Sequence, residues 1–196
     1  MGLQNSDHFA RIDDVKYFYD IGQRCSPLTY NSQNRIGFGL TERVDGGVSD
    51  YGAAIIAAMN AVGMLVDISH CGDKTTVDAI DISSKPIAIT HGNRRAIVDH
   101  PRVKTDAAIL TMTKKGCVMG ITAVRMVVCE TEPTGIGNVF DHIDHVGIGS
   151  DTDLNGYDDM TTAANTALRA GYKESYAFRD EIDGFDHPRK IYDLTE

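Results

Sequence analysis

The stretch SDYGAAIIAAMNAVGMLVDISH, residues 49–70, decides the fold. Its first part spaces apolar residues as an amphipathic helix does, with Ser49 at the N-cap position and Gly63 as the C-terminal glycine. The helix runs directly into residues 64–70 (MLVDISH), a short apolar segment of strand length that ends in a polar residue. The stretch therefore predicts a helix followed by a buried strand, which is the repeating unit of βα architecture.

The same helix-then-strand arrangement recurs along the chain. Helices are predicted at residues 13–22, 49–63, 73–84, 105–115 and 161–170. Six strands are predicted, at residues 1–4, 25–30, 64–70, 87–91, 117–122 and 145–150. Short apolar strands of this kind are typical of a parallel sheet covered on both faces, either doubly wound or closed into an eight-stranded barrel. Six strands do not close such a barrel, so we expect an open edge and an isolated chain that associates with itself or is poorly soluble.

Composition limits the classes of partner. The 196 residues carry a formal net charge of −9 and no clustered basic surface, which excludes a nucleic-acid binder and favours a small-molecule partner. No signal peptide and no apolar run of about 20 residues is found, so we expect a cytoplasmic chain without a membrane span. The four widely spaced cysteines predict reduced thiols rather than a disulfide framework.

Several predicted strands end in a residue that could take part in chemistry. These residues are Tyr30, His70, His91 and Asp151. Because the carboxyl ends of the strands meet at one mouth of a βα barrel, His70 and His91 on consecutive strands are candidates for a shared zinc ion, against the alternative of surface histidines. Asp67 could order this site, although the alternation of side chains along a strand turns it the other way.

Five segments of the chain resemble conserved segments of a known family. They read LTYNSQNRIGFG, GGVSDYG, MNAVGMLVDISH, ITHGNRRAIVDHPR and HVGIGSD. In order and spacing they resemble the signature blocks of the renal (membrane) dipeptidase family, peptidase family M19. The resemblance implies a (β/α)8 TIM-barrel-like, metal-dependent hydrolase that cleaves dipeptides with two bridged zinc ions.

The resemblance also implies roles for individual residues. His70 and His91 match the two histidines that hold one zinc ion, and Asp151 matches the aspartate that transfers a proton near the other. Arg102 matches the arginine that binds the carboxylate of the dipeptide substrate, which a guanidinium can do with two parallel hydrogen bonds. Tyr30 replaces a histidine that stabilises the oxyanion, so its phenol either donates to the oxyanion or only packs. Gln4 stands where the family has a bridging glutamate, as a weaker, neutral metal ligand.

The chain also departs from the family. The HxD pair of the first barrel strand is missing, so we expect a single partial barrel domain over residues 1–196, with 152–190 as a long excursion over the active-site mouth. We expect at most one bound zinc ion and slow turnover, whereas a chain extended upstream to restore HxD would be active. The leading hypothesis is a zinc-dependent dipeptidase; the alternatives are a non-catalytic, weakly metal-binding fragment and a related amidohydrolase acting on a lactam or another non-peptide amide.

Overall fold

The structure, a computed structural model, describes residues 5–122, 127 and 146–149. Four helices lie in this part: α1 (Asp14–Asp20), α2 (Asp50–Val62), α3 (Asp73–Ile82) and α4 (Asp106–Lys114). Five strands alternate with them: β1 (Cys25–Pro27), β2 (Leu65–Asp67), β3 (Ala88–Gly92), β4 (Val118–Ile121) and β5 (Val146–Ile148). Four of the five predicted helices and five of the six predicted strands are confirmed, and the predicted helix at 161–170 lies outside the described residues. The predicted strand at 1–4 and the excursion at 152–190 lie outside the described residues.

The five strands form one parallel sheet in chain order, β1-β2-β3-β4-β5. Each strand therefore pairs with its successor after the chain has crossed over, and helices α2, α3 and α4 provide three of these crossovers. Within the described part, β1 and β5 are the terminal strands of the sheet. Because all strands run the same way, the loops that follow them gather at one end of the sheet, and Tyr30 and His70 lie in two of these loops.

Helix α2 forms where the sequence predicts it and for the predicted reasons. The Ser49 hydroxyl accepts a hydrogen bond from the Gly52 amide at 2.9 Å, and Gly63 ends the helix with φ +79°, a conformation that favours glycine. Ile55 and Met59 on its inner face are completely buried. Burial of each such side chain contributes roughly 1.5–3 kcal/mol, so packing against the sheet, rather than helix propensity, holds α2 in place.

The cap of helix α3 comes from a distant loop. Gly72 precedes this helix and has no side chain with which to cap it. Instead, one carboxylate oxygen of Asp45 accepts from the Lys74 and Thr75 amides at 2.7 and 3.1 Å, and the other accepts from the Thr75 hydroxyl at 2.8 Å. A negative charge at this position also interacts favourably with the helix dipole. In the described part of the chain, no helix combines the length and apolar character needed to cross a bilayer.

The strands are shorter than the sequence predicts, which changes the position of two candidate residues. Strand β2 ends at Asp67, because the Asp67 carboxylate accepts the Ser69 amide at 2.9 Å and turns the chain. His70 therefore lies in this turn rather than at the strand end. Strand β1 likewise ends at Pro27, so Tyr30 belongs to the following loop.

Strand β3 contains one extra residue relative to its neighbour. Ile89 pairs with Met119, but Gly92 pairs with Ile121, so three steps along β3 match two steps along β4. Such a β-bulge interrupts the alternation of side chains and redirects them. The irregularity lies at Thr90 and His91, the segment that carries the second candidate histidine.

Candidate metal centre

The turn after β2 and the bulge in β3 bring two imidazoles together. The Nε2 atoms of His70 and His91 lie 3.1 Å apart, and their ring planes are inclined by 59°. Two Zn–N bonds of about 2.0 Å at a tetrahedral angle place their nitrogens about 3.3 Å apart. The two nitrogens are therefore spaced for bonds to one ion, as the sequence predicts for this pair.

His70 is held rigidly from two sides. Its Nδ1 atom lies 2.9 Å from Oδ1 of Asn31, an oxygen that only accepts, so Nδ1 carries the proton and Nε2 keeps its lone pair. The Tyr30 ring stacks on the imidazole, with centroids 4.2 Å apart. Burial lowers the pKa of His70 well below its ordinary value, and the positive charges of Arg102 and Lys104 add to this effect. His70 is therefore uncharged at neutral pH, the form in which imidazole binds a metal ion.

His91 is held by its neighbour in the chain. Its Nδ1 atom lies 2.7 Å from the Thr90 hydroxyl, which in turn donates to the Asp67 carboxylate at 2.7 Å. Asp67 thus reaches His91 through Thr90 rather than directly, in agreement with the expected direction of its side chain. Thr90 and Ser69 are not among the site residues that the sequence predicts. The sequence signal for Ser69 was present, because Asp67 and Ser69 alternate with Ile68 and share one face of a buried segment.

Arg102 lies beside the two histidines but is turned into the protein. It is 4% exposed, and its Nη1 atom donates to the carbonyl oxygens of Ser69 at 2.9 Å and His91 at 3.1 Å. The guanidinium therefore ties together the two segments that carry the histidines. The binding of a substrate carboxylate by Arg102 stays a prediction.

The remaining predicted ligands lie outside the described residues: Gln4 and Asp151. Cys71, which follows His70, points away as expected: it is buried, accepts from the Thr29 hydroxyl at 3.4 Å, and burial raises the pKa of its thiol. An uncharged thiol is a poor metal ligand. Within residues 5–122, 127 and 146–149, no group of three or more His, Cys, Asp or Glu side chains is placed to hold a metal ion. Cys71, Cys25 and Cys117 are free thiols, and the fourth cysteine, Cys129, lies outside the described residues.

Two imidazole nitrogens 3.1 Å apart repel each other when both are unprotonated, unless a cation or a proton lies between them. The donor set fits zinc, because neutral imidazole is one of its common ligands and both imidazoles are oriented by hydrogen bonds on their other nitrogen. The described residues thus supply two of the four bonds that a tetrahedral ion needs.

Comparison with known proteins places this geometry in a family. The family model for membrane dipeptidases, peptidase family M19, matches residues 1–157. The chain belongs to peptidase family M19. A curated relative, dipeptidase verJ of Clonostachys rogersoniana, is 31% identical over 82% of this chain and 46% of its own length. The chain thus spans less than half the length of that relative.

Solved structures agree with this assignment. An amidohydrolase from Pseudomonas aeruginosa is 31% identical and superposes with a TM-score of 0.73 over 78% of this chain and 50% of its own. A metallo peptidase of family M19, dipeptidase AC, is 22% identical, with a TM-score of 0.67 over 81% of this chain and 54% of its own. These M19 neighbours have a TIM-barrel-like fold, so the predicted fold class is confirmed, with the described residues forming only part of it.

Proposed function

We propose that this M19 chain forms the histidine-bearing part of a zinc-dependent dipeptidase, which hydrolyses the peptide bond of dipeptides with metal-activated water. The observation that carries the proposal is the 3.1 Å separation of the His70 and His91 Nε2 atoms. Membership of a metallopeptidase family and relatives named dipeptidases support the reaction class.

His70 and His91 would hold the zinc ion through Nε2, each oriented by the hydrogen bond at its Nδ1 atom. When bound, zinc lowers the pKa of water and polarises a carbonyl group. Because both imidazoles are fixed before the ion arrives, little reorganisation opposes binding. Asp151 would transfer the proton to the leaving amine, and Gln4 would be a weak ligand at the second metal position.

Tyr30 and Arg102 would act on the substrate. The Tyr30 ring stacks on His70, and in this proposal its phenol donates a hydrogen bond to a developing oxyanion. Arg102 uses Nη1 to hold the backbone beside both histidines. In this proposal the rest of its guanidinium binds the carboxylate of the dipeptide, and its fixed position sets the length of substrate that fits.

Two other functions are each favoured by one observation. The Pseudomonas aeruginosa relative is an amidohydrolase by name, which favours hydrolysis of a lactam or another non-peptide amide. The pairing of two imidazoles at a distance that suits one ion also favours a chain that binds one metal ion weakly without catalysis.

The test measures zinc content by mass spectrometry and hydrolysis of a dipeptide, a β-lactam and a simple amide after reconstitution with zinc. We expect at most one zinc ion per chain, lost in both His70→Ala and His91→Ala. His8→Ala is the matched control, because its imidazole contacts Gln23 at 3.1 Å and lies against Phe9 and Phe18.

The outcomes separate the three functions. Dipeptide turnover that needs His70 and His91 supports the proposal, and a preference for the lactam or the simple amide supports the second candidate. Zinc binding without turnover supports the third. Zinc content unaffected by either substitution would show that these histidines are not ligands.

A further inference from the structure

The Asp67 carboxylate accepts four hydrogen bonds from Ser69 and Thr90, the residues that precede His70 and His91 in the chain. Its Oδ1 atom accepts from the Ser69 amide at 2.9 Å, the Ser69 hydroxyl at 2.5 Å and the Thr90 amide at 3.1 Å. Its Oδ2 atom accepts from the Thr90 hydroxyl at 2.7 Å. Asp67 is 2% exposed, so these donors replace the water that the carboxylate loses on burial. Asp67, Ser69 and Thr90 are called the Asp67 cluster below.

The cluster determines which nitrogen of His91 carries the proton. A hydroxyl group has one hydrogen, and a carboxylate only accepts, so the hydroxyl hydrogens of Ser69 and Thr90 are both committed to Asp67. At its 2.7 Å contact with His91 Nδ1, the Thr90 oxygen can then only accept. His91 must donate from Nδ1, which leaves Nε2 with a lone pair.

The bulge in β3 makes this relay feasible. In a regular strand the side chains of Thr90 and His91 would point to opposite faces of the sheet. The extra residue between Ile89 and Gly92 removes this alternation, and the two neighbouring side chains form a hydrogen bond with each other. The Ser69 hydroxyl also accepts the His91 amide at 3.2 Å, which fixes the backbone of the bulge.

We propose that Asp67 acts through Thr90 as a positioning residue for His91, fixing the tautomer that presents an unprotonated Nε2 atom to the metal. This inference rests on the proposed metal site and adds three residues to it. The Asp67 carboxylate reaches the His91 imidazole through the Thr90 hydroxyl.

Asp67→Asn tests the relay with almost no change of shape. The new amide can donate to Thr90, whose hydroxyl then turns and donates to His91 Nδ1. His91 would then carry its proton on Nε2, a tautomer that cannot bind metal through that atom. Thr90→Val removes the relay, whereas Thr90→Ser keeps the hydroxyl.

Two measurements on the 196-residue chain report how each substitution changes the His91 tautomer and the metal affinity. Long-range ¹H–¹⁵N NMR of the metal-free protein reports the tautomer of His91 directly. Titration with Co²⁺ alone, followed by its visible absorption, and displacement by Zn²⁺ report affinity and ligand geometry. The matched control is Thr75→Val, which also removes a buried hydroxyl–carboxylate hydrogen bond, to Asp45 at 2.8 Å, but at helix α3.

We expect Asp67→Asn and Thr90→Val to lower the Co²⁺ affinity roughly ten- to hundredfold, the usual effect of losing a group that orients a ligand. Thr90→Ser should restore the affinity to within about threefold, and Thr75→Val should leave it unchanged. In the metal-free protein, only Asp67→Asn should move the proton of His91 to Nε2.

The outcomes distinguish this inference from the proposed function. If the wild-type chain binds no Co²⁺ or Zn²⁺, the metal site is wrong, and with it a role for Asp67 in metal binding. If the wild type binds metal but Asp67→Asn keeps both the Nδ1 proton and the affinity, the site stands and the positioning role is overturned. Circular dichroism of each variant identifies loss of folding, in which case the Thr90→Val and Thr90→Ser pair decides.

Discussion

Lys104 is a buried cation close to the histidine pair, and the structure predicts how it makes stability depend on pH. Its side chain is 1% exposed, and Nζ donates to the Cys71 carbonyl at 2.7 Å and to the Thr76 hydroxyl at 3.0 Å. Neither partner carries a negative charge that would offset burial of the ammonium group. Burial therefore lowers the pKa of Lys104 to about 8, from 10.5.

The direction of this pH dependence follows from the number of protons that the folded and unfolded chains bind. Between pH 8 and 10.5 the unfolded chain keeps the Lys104 proton and the folded chain loses it, so the free energy of unfolding rises with pH in this window. Integration between pH 7 and 9.5 gives a rise of about 2 kcal/mol. Below pH 7 both states hold the proton, and the contribution of Lys104 no longer changes.

The assay is urea unfolding of the wild type and Lys104→Met at several pH values from 7 to 9.5. Comparison with the variant is needed because burial raises the pKa of Cys25 to about 12, which makes stability fall with pH above the ordinary thiol range. This opposing effect is common to both proteins, so the difference isolates Lys104. Unfolding free energies that change in parallel in the two proteins would refute the reasoning.

Three further predictions follow from particular contacts. Asp45→Ala should lower the free energy of unfolding by about 1–2 kcal/mol in urea, because α3 loses its cap, and an unchanged midpoint would contradict this. Gly120→Ala should lower the free energy of unfolding by about 1–3 kcal/mol, because the new Cβ would clash with a carbonyl oxygen of β3. Gly147→Ala is the control, because the space around Gly147 is open, and equal melting temperatures of the two variants would refute the clash. Tyr30→Phe keeps the stacked ring, so the affinity for Zn²⁺ should not change. If the phenol donates to the oxyanion, kcat should fall roughly tenfold or more. An unchanged kcat would show that the Tyr30 ring only packs against His70.

The sequence alone predicted the order and type of the elements because local chemistry sets them. A serine cap marks the start of α2 and a glycine marks its end. The apolar strand segments are too short and too continuously apolar to be surface helices. His70 and His91 could be paired from the sequence because consecutive parallel strands place their carboxyl ends side by side. The five segments that resemble the dipeptidase family could also be recognised from the sequence alone.

Only the tertiary structure decided how the two imidazoles are aimed. The turn that Asp67 forms after β2, and the extra residue at Thr90 and His91 in β3, depend on which strands pair and in what register. No periodic pattern encodes these features, because a bulge is defined relative to a neighbouring strand some 30 residues away in the chain, as Ile89 is from Met119. The sequence thus identified the two metal-binding candidates, whereas pairing with distant strands determined the tautomer and direction of His91.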